Sequence, residues 1–508
     1  MNINFLKSWY GDVLAVIAGL LMPLAFAPFG ISLIALLSIV LIMLCWAQIS
    51  KGRAFFRGWL YGLGMFGFGV SWVHISMNQF GGISVPLSIG LTVLFVMFLA
   101  LYPAITGYVA RKFSDRGTHQ IAREFIIIVP SVWVLFEWIK GWLFTGFPWL
   151  SVGYSQLGLP LEGFAPVFGV YGISYAVALT AGLIVYWLLT GKAATKFALP
   201  GILFIWGSSA ILNNVEWSEP VDDPIKISMI QGNVSQDQKW LPEQRIPTLK
   251  LYTELSRENW ESDLVIWPET SIPALYHQVE PFLKDLAQEA RMNSSELLVG
   301  IPVYNIKTKQ HFNSMMSLGL QEAFYDKRHL VPFGEYLPLK DYLGGVIDFF
   351  DIPMSNFSPG ERESTVLKVA GQPAGISICY EDVFGEEITD ALPEATLLIN
   401  TSNDAWFGDS LAPHQHLEIA QMRAIETARP LVRSTNTGIS AFINEKGRIQ
   451  SASPQFETHV LTGTVQPMTG MTPYAVFTNI PVVLAAVFIL GFGIFLGRTK
   501  KNANPDIS

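Results

Sequence analysis

The chain is poor in cysteine, in charge and in repetition. Of its 508 residues only two are cysteines, Cys45 and Cys379, and 15% are charged whereas 50% are hydrophobic. Cys45 lies in an apolar run and Cys379 is alone in a polar region, which excludes a disulfide within that region. With so few charged residues, the composition differs from that of an ordinary soluble protein. No internal repeat, heptad array or low-complexity stretch is present, which excludes a repeat architecture.

The chain is instead rich in apolar runs that are long enough to cross a bilayer, which takes roughly 20 helical residues. Seven such runs fill a domain at 1–213, an eighth follows at 474–497, and 498–508 form a short tail. We therefore expect a polytopic α-helical membrane domain. The predicted spans lie near 11–28, 31–48, 56–77, 84–109, 123–144, 163–190, 195–213 and 474–497.

Apart from Lys140, which lies near the other side at the end of the fifth span, basic residues flank these spans on one side. They are Lys7, Lys51, Arg53, Arg57, Arg111, Lys112, Arg116, Arg123, Lys192, Lys196, Arg498, Lys500 and Lys501. The alternate short loops, 29–31, 78–83 and 145–162, contain no Lys or Arg. Because cytoplasmic loops carry the excess of basic residues, both termini are expected in the cytoplasm and the polar region outside it. The weak basic character of the N-terminus argues against a cleavable signal peptide.

The polar region, 214–473, differs from the rest of the chain in charge and in pattern. It carries 19 Lys and Arg against 35 Asp and Glu, and this net charge of −16 argues against a nucleic-acid partner. Helical patterns at 241–260, 278–293 and 413–429 alternate with short β-branched runs, which predicts a layered α/β domain. The predicted strands are IKISMIQGNV, DLVIWPET, ELLVGIPVYN, FNSMMSLGL, AGISICYEDV, ATLLINTSND, RPLVRSTNTGISAFIN and HVLTGTV.

Three polar residues at the ends of such runs form a candidate acyl-transfer set. Glu269 follows the strand DLVIW, Lys327 lies in YDKRHLVPFGEYLP, and Cys379 follows the strand AGISI. A thiol becomes a nucleophile when a carboxylate removes its proton or an ammonium group stabilises the thiolate. Each residue also has an ordinary interpretation: a turn carboxylate for Glu269, a solvated edge for Lys327 and a buried small side chain for Cys379.

The segments WPET, KRHLVPFGEYLP and CYEDVF, in this order, resemble the nitrilase (carbon–nitrogen hydrolase) superfamily. With INTSNDAWFG, QMRAIETARPLVRSTNTGIS and seven spans ahead of the polar region, nearly the whole chain resembles the apolipoprotein N-acyltransferase family. The resemblance implies an αββα sandwich at 214–473 and a catalytic triad of Glu269, Lys327 and Cys379. It also implies supporting roles for Glu335, Tyr380, Glu381 and Trp240, although packing or hydrogen bonding equally explains such residues.

The resemblance further implies a reaction and its partners. A phospholipid donates an acyl chain to Cys379, and the resulting thioester passes it to the α-amino group of a diacylated apolipoprotein, in the bacterial inner membrane. We expect no cofactor and a monomer. Metal binding by His414 and His416 is not expected, since no carboxylate cluster near them calls for it.

The stretch 336–357 is rich in apolar and aromatic residues around Gly344 and Gly345, so we interpret it as a lipid-facing arm; an ordinary buried loop is the alternative. Two other functions stay open. A membrane-anchored amidase would pass the acyl group to water, and a non-catalytic lipid-binding or transport protein would not form the thioester. The intact set of Glu269, Lys327 and Cys379 argues against the latter.

Overall fold

The computed structural model describes residues 4–114, 118–319, 322–337, 356–362 and 365–503. The chain forms two compact units. The first, a helical unit, comprises 1–72, 89–215 and 477–508, and the second, the polar unit, comprises 73–88 and 216–476. The segment 73–88, which the sequence assigned to the membrane domain, thus groups with the polar unit. Its Phe80 ring lies 5.2 Å from the ring of Trp406.

The helical unit has an α-helix within each of the eight predicted spans. Among the described residues, three segments are long and apolar enough to cross a membrane: Val85–Lys112, Pro160–Leu212 and Ile480–Arg498. That all eight cross it stays a prediction. The helices are Tyr10–Leu21, Leu33–Trp46, Lys51–Gly69, Val85–Leu99, Leu101–Lys112, Val129–Lys140, Ala165–Thr190, Thr195–Leu212 and Ile480–Ala503.

Small residues let the helices of this unit approach closely. A Cβ on Gly58 would lie 2.3 Å from the carbonyl oxygen of Pro103, and one on Gly62 would lie 2.5 Å from Cα of Ala100. Any larger residue would therefore push the helices Lys51–Gly69 and Leu101–Lys112 apart.

The polar unit contains two six-stranded sheets and one short strand pair. The first sheet has the order β13-β2-β3-β4-β5-β6 and the second β7-β8-β9-β10-β11-β12, while β1 pairs with β14. The strands are β1 Glu219–Pro220, β2 Ile225–Gln231, β3 Leu264–Ile266, β4 Glu296–Asn305, β5 Gln310–Leu318, β6 Glu322–Asp326, β7 Val366–Val369, β8 Gln372–Ile378, β9 Leu397–Ser402, β10 Leu431–Thr435, β11 Ala441–Ile443, β12 Ile449–Ala452, β13 His459–Val465 and β14 Met468–Thr469.

Both sheets share one pairing pattern. In each, three central strands run parallel (β2, β3 and β4 in the first sheet, β8, β9 and β10 in the second), and antiparallel strands flank them on both sides. Parallel strands end at the same edge of a sheet, so the residues that follow β3 and β8 lie where an open α/β sheet carries its chemistry.

The two sheets pack face to face, and helices cover their outer faces. Ile227 and Leu264 of the first sheet share a buried core with Ile376 and Ile399 of the second. Because successive side chains of a strand point to opposite faces, the residues next to these four along each strand point away from the other sheet. Val265 packs with the helices Pro242–Arg257 and Tyr276–Met292, and Leu398 with the helix Ala412–Thr427, and this confirms the predicted αββα sandwich.

The sequence prediction lacks the short pair β1 and β14 and, among the described strands of the two large sheets, β6, β7 and β12. The last three share a location. Each lies at the edge of a sheet and has several exposed or half-exposed residues. Edge strands lose the apolar alternation that reveals a strand buried on one face, because little of their surface is covered.

Candidate active site

Cys379 occupies a sharp turn at the carboxyl end of β8. Its backbone has a φ of +52°, which is a strained conformation for a residue with a side chain, and a short 3-10 helix, Cys379–Val383, begins there. Asn400 Nδ2 donates to the Cys379 carbonyl oxygen at 3.4 Å, and His416 Nε2 lies 3.2 Å from the same oxygen. The turn is therefore held from the neighbouring strand and from a helix.

A buried charged network lies behind this turn. His416 Nε2 lies 2.7 Å from Asp382 Oδ1, and Arg433 donates to Asp382 Oδ2 at 3.2 Å and to Asp404 Oδ2 at 3.0 Å. Burial opposes the charge of Asp404, but Arg433 and His416 outweigh it and hold the pKa of the carboxyl below its usual range. The side chain of His416, considered above for metal binding, thus contacts carboxylates and the backbone of Cys379.

Glu269 follows β3 in a turn that packs against glycine. A Cβ on Gly300 would lie 2.2 Å from the carbonyl oxygen of Pro268, so only glycine permits the turn to approach β4. Glu269 Oε1 accepts from Asn313 Nδ2 at 2.7 Å, and Oε2 accepts from the backbone N–H of Asn403 at 2.9 Å. Asn313 lies on the first sheet and Asn403 follows β9 of the second, so both sheets orient this carboxylate.

Lys327 follows β6 and is 1% exposed. The ordinary interpretation of this residue as part of a solvated edge is therefore wrong. Its Nζ lies 2.8 Å from Glu335 Oε1 and 3.6 Å from Glu269 Oε1. Burial opposes its charge, but Glu335, Glu269 and Cys379 outweigh that effect and raise the pKa of the ammonium group, which is thus charged at neutral pH.

The thiol of Cys379 is protonated at rest. Burial raises its pKa well above the usual range, the charge of Glu269 adds to this, and Lys327 acts in the opposite direction. Since the thiolate is the nucleophile, the thiol needs a base at the moment of attack. Glu269 is the carboxylate whose charge acts on it most strongly.

Glu335 and Glu381 both contact the elements that carry the triad. Glu335 Oε1 accepts from Lys327 Nζ and from Asn313 Nδ2 at 3.1 Å, and its Oε2 accepts from the Val331 N–H at 2.8 Å. Glu381 accepts from the backbone N–H groups of Ile378 at 2.7 Å and Arg328 at 2.6 Å. It thereby joins the chain segments on either side of the site.

The two aromatic residues differ in their surroundings. The ring of Tyr380 is buried and packs edge-on against Phe384 with centroids 5.1 Å apart. Trp240 is 36% exposed, in the loop that follows β2. Most of the predicted arm at 336–357 lies outside the described residues, since 338–355 are among those not described.

Asn313 and Asn403 were missed from the sequence although both hold Glu269. Neither carries a distinctive signal in the sequence, because β5 and the end of β9 contain other polar residues beside them. The side-chain amide of Asn313 donates to the carboxylate, whereas Asn403 holds it through its backbone N–H, and the side-chain Nδ2 of Asn403 donates to Gln236 Oε1 at 2.7 Å.

Comparison with known proteins identifies the chain's relatives. Two family models match it: Apolipoprotein N-acyltransferase N-terminal domain over residues 18–183, and Carbon-nitrogen hydrolase over residues 226–474. The apolipoprotein N-acyltransferase of Methylococcus capsulatus is 45% identical to it, with 97% of each chain covered. The chain belongs to the apolipoprotein N-acyltransferase family. The family member of Coxiella burnetii is 41% identical, with 94% of this chain and 99% of the relative covered.

Solved structures also match about half of the chain. Saccharomyces cerevisiae Nit3, a member of branch 10 of the nitrilase superfamily, matches with 18% identity and a TM-score of 0.38, covering 49% of this chain and 93% of Nit3. An amidase from Nesterenkonia sp. matches with 16% identity and a TM-score of 0.35, covering 49% of this chain and 92% of the amidase.

Membership of the N-acyltransferase family confirms the predicted enzyme class. The chain is an acyltransferase with a carbon–nitrogen hydrolase domain, and its apolar helices make it a membrane protein.

Proposed function

We propose that this chain transfers an acyl chain from a phospholipid to the α-amino group of a diacylated apolipoprotein through a thioester on Cys379. The observation that carries the proposal is the convergence of Glu269 and Lys327, 3.6 Å apart, whose charges both act on the buried thiol. A base and a cation beside one cysteine are the groups that covalent acyl transfer requires.

In the first half-reaction the Cys379 thiol is acylated. Glu269 takes the proton from Sγ as the sulfur attacks an ester carbonyl of the phospholipid. Lys327 stabilises the oxyanion of the tetrahedral intermediate. The bond between the carbonyl carbon and the ester oxygen then breaks, Glu269 returns the proton to that oxygen, and the lysophospholipid leaves.

In the second half-reaction the acyl chain moves to the amine. The neutral α-amino group of the acceptor's lipidated cysteine attacks the thioester carbonyl, and Glu269 accepts the proton that the amine loses. An α-amino group has a pKa of about 8, so a usable fraction of the amine is uncharged at neutral pH. The C–S bond breaks, and the proton on Glu269 goes to the sulfur, which restores the thiol.

We also propose where the reaction occurs. The one-sided distribution of basic residues supports a polar unit on the outer face of the bacterial inner membrane, with both termini in the cytoplasm. There the acceptor is a secreted lipoprotein and the donor a membrane phospholipid. All the residues invoked belong to one chain, so we propose a monomer.

Mass spectrometry of the intact purified protein tests the covalent mechanism. After incubation with dioleoyl-phosphatidylethanolamine in detergent micelles, we expect one oleoyl group on Cys379. We expect no adduct on Cys379→Ala, because Cys45, the other cysteine, is fully buried. Addition of a synthetic diacylated lipopeptide should discharge the adduct and yield N-oleoyl peptide.

Each alternative function predicts a different result. Discharge by water alone, with no acylated peptide, would establish the amidase. No adduct and no acylated peptide would favour a non-catalytic lipid-binding protein. Acylated peptide formed by Cys379→Ala would exclude the thioester.

A further inference from the structure

The loop at 232–241, between β2 and the helix Pro242–Arg257, reaches both the surface and the interior of the polar unit. Trp240 and Leu241, two large apolar side chains at its end, are exposed. Gln236, earlier in the loop, is half-buried. A lipid can therefore meet this loop from outside, while other residues of the loop contact the interior.

Asn436, which follows β10, holds the start of this loop. Its Oδ1 accepts from the Val234 N–H at 3.0 Å, and its Nδ2 donates to the Val234 carbonyl oxygen at 2.8 Å. The Asn436 carbonyl oxygen also accepts from the Asn233 N–H at 2.9 Å. Because Asn436 is 1% exposed, water does not compete strongly for these bonds, and they fix the start of the loop to the second sheet.

The loop also contacts the turn that carries Glu269. Lys239 is buried, and its Nζ donates to Thr270 Oγ1 at 3.0 Å. Thr270 directly follows Glu269 in the chain. The acceptor of this bond is the threonine hydroxyl, so the bond fixes the loop beside the turn and leaves the carboxylate to other partners.

Asn403 connects the loop to that carboxylate. Its Nδ2 donates to Gln236 Oε1 at 2.7 Å, and its Oδ1 accepts from Asn436 Nδ2 at 3.2 Å. Its backbone N–H donates to Glu269 Oε2 at 2.9 Å. One buried residue thus binds the loop through its side chain and the carboxylate through its backbone.

The direction of the Asn403 N–H is not set by the sheet. β9 ends at Ser402, which is its last residue paired with β10. Asn403 has a φ of −122° and a ψ of 77°, and this ψ lies outside the strand conformation. Because no strand pairing fixes this peptide group, its orientation depends on what holds the Asn403 side chain. The loop therefore contributes to the direction of the N–H that binds Glu269.

We propose that Asn403 is a positioning residue through which the docked loop 232–241 orients Glu269. The loop is docked when Gln236 holds the Asn403 side chain, and the Asn403 N–H then holds the carboxylate. A lipid that contacts Trp240 and keeps the loop docked thereby also keeps the base in place. The proposal rests on the proposed function, in which Glu269 is the base, and it assigns Asn403 no contact with either substrate.

Alkylation of Cys379 by iodoacetamide, in the absence of lipid, tests this role. The thiolate is the form that reacts, so the alkylation rate reports how well Glu269 takes the proton, whether or not a lipid can bind. Gln236→Met keeps the length of the side chain but removes the acceptor of the Asn403 bond. We expect its alkylation rate, followed by intact-protein mass spectrometry, to fall about fivefold, which corresponds to the loss of one hydrogen bond.

A loop that served only to bind lipid would give a different result. In that case Gln236→Met would slow the acylation of Cys379 by dioleoyl-phosphatidylethanolamine and leave alkylation by iodoacetamide at the wild-type rate. Such a result would overturn the inference.

Two further variants separate the bond from general effects of substitution. Gln238→Met makes the same change at an exposed glutamine of the same loop and should be alkylated at the wild-type rate. Asn403→Ala keeps the backbone N–H but removes the side-chain bonds, so it should slow alkylation at least as much as Gln236→Met. Adding Gln236→Met to Asn403→Ala should cause no further fall, because the bond between the two side chains is already lost.

The outcomes distinguish this inference from the proposed function. If Glu269→Gln is alkylated at the wild-type rate, Glu269 is not the base and the proposed mechanism fails. If Glu269→Gln is slow, and the effects of Gln236→Met and Asn403→Ala add in full, the inference alone is overturned. Should Asn403→Ala not fold, as judged by its thermal unfolding, Gln236→Met and Gln238→Met decide, and equal alkylation rates for these two overturn the inference.

Discussion

At the scale of single residues, the surroundings of Cys379 disfavour the thiolate, although the thiolate is the reactive form of a thiol. The pKa of Cys379 is raised by burial and by Glu269, so the protein holds a neutral thiol rather than a standing thiolate. An enzyme that meets lipid and water at a membrane surface benefits from a nucleophile that is activated only when an ester carbonyl is present. Removal of the base should therefore be more harmful than it would be beside a standing thiolate.

Glu269→Gln tests this dependence on the base. The amide oxygen of the glutamine can still accept a hydrogen bond at the site, but the side chain cannot take a proton. We expect the rate of Cys379 acylation to fall by about 10²- to 10⁴-fold, measured by intact-protein mass spectrometry. Glu254→Gln, at an exposed position of the helix Pro242–Arg257, is the matched control. A wild-type rate in Glu269→Gln would remove Glu269 from the role of base.

Glu269, Lys327 and Cys379, which we propose as the catalytic residues, could be found from sequence because each stands next to a strong apolar strand or a distinctive segment. Lys239 could not be found in this way. It lies in a polar loop, QGNVSQDQKW, where a lysine looks solvated, and only the folding of that loop against Thr270 reveals its burial. The environment of a charged side chain in a loop depends on contacts distant in sequence.

At the scale of secondary structure elements, the turn after β8 is held by the network of His416, Asp382, Asp404 and Arg433. Arg433, on β10, has an exposure of zero and donates to both carboxylates. A buried charge that loses its partner is strongly destabilising, whereas the loss of an exposed pair has little effect.

Arg433→Met should therefore destabilise the polar unit by about 3–5 kcal/mol. The expected observation is a marked fall in the melting temperature of the purified protein, followed by differential scanning fluorimetry. Arg362→Met makes the same change at a side chain that is 84% exposed, 3.8 Å from Asp390, and should leave the melting temperature almost unchanged. Equal melting temperatures for the two variants would contradict a supporting role for the network.

The strands that are buried most completely were the ones that the sequence predicted. Central strands such as β4 and β8 have nearly continuous buried residues and were recognised from their apolar runs. The edge strands β6, β7 and β12 were not, and Lys327 directly follows one of them. The sequence therefore left a solvated edge open as an alternative for Lys327, and the burial of its side chain excludes that alternative.

At the scale of the whole molecule, the order of helices and strands followed from hydropathy and charge, whereas the grouping of 73–88 with the polar unit did not. The prediction divided that segment among the end of the span 56–77, the loop 78–83 and the start of the span 84–109, and its ring contact with Trp406 joins residues more than 300 positions apart. Contacts of such sequence separation leave no local pattern.

The proposed topology makes a prediction for intact cells. In a Cys379→Ala background, Thr308→Cys, in the exposed turn between β4 and β5, should react with a membrane-impermeant maleimide added outside cells with a permeabilised outer membrane. Lys192→Cys, exposed between two helices of the helical unit, should react only after the inner membrane is opened as well. The opposite labelling pattern would invert the proposed orientation.

The division of the site between two sheets has a consequence for the cell. Glu269 and Lys327 follow strands of one sheet and Cys379 follows a strand of the other, so neither sheet alone contains both a base and a nucleophile. A chain whose two sheets have not yet packed together therefore lacks the assembled set of Glu269, Lys327 and Cys379. We expect such a partly folded chain to form no thioester with the lipid around it.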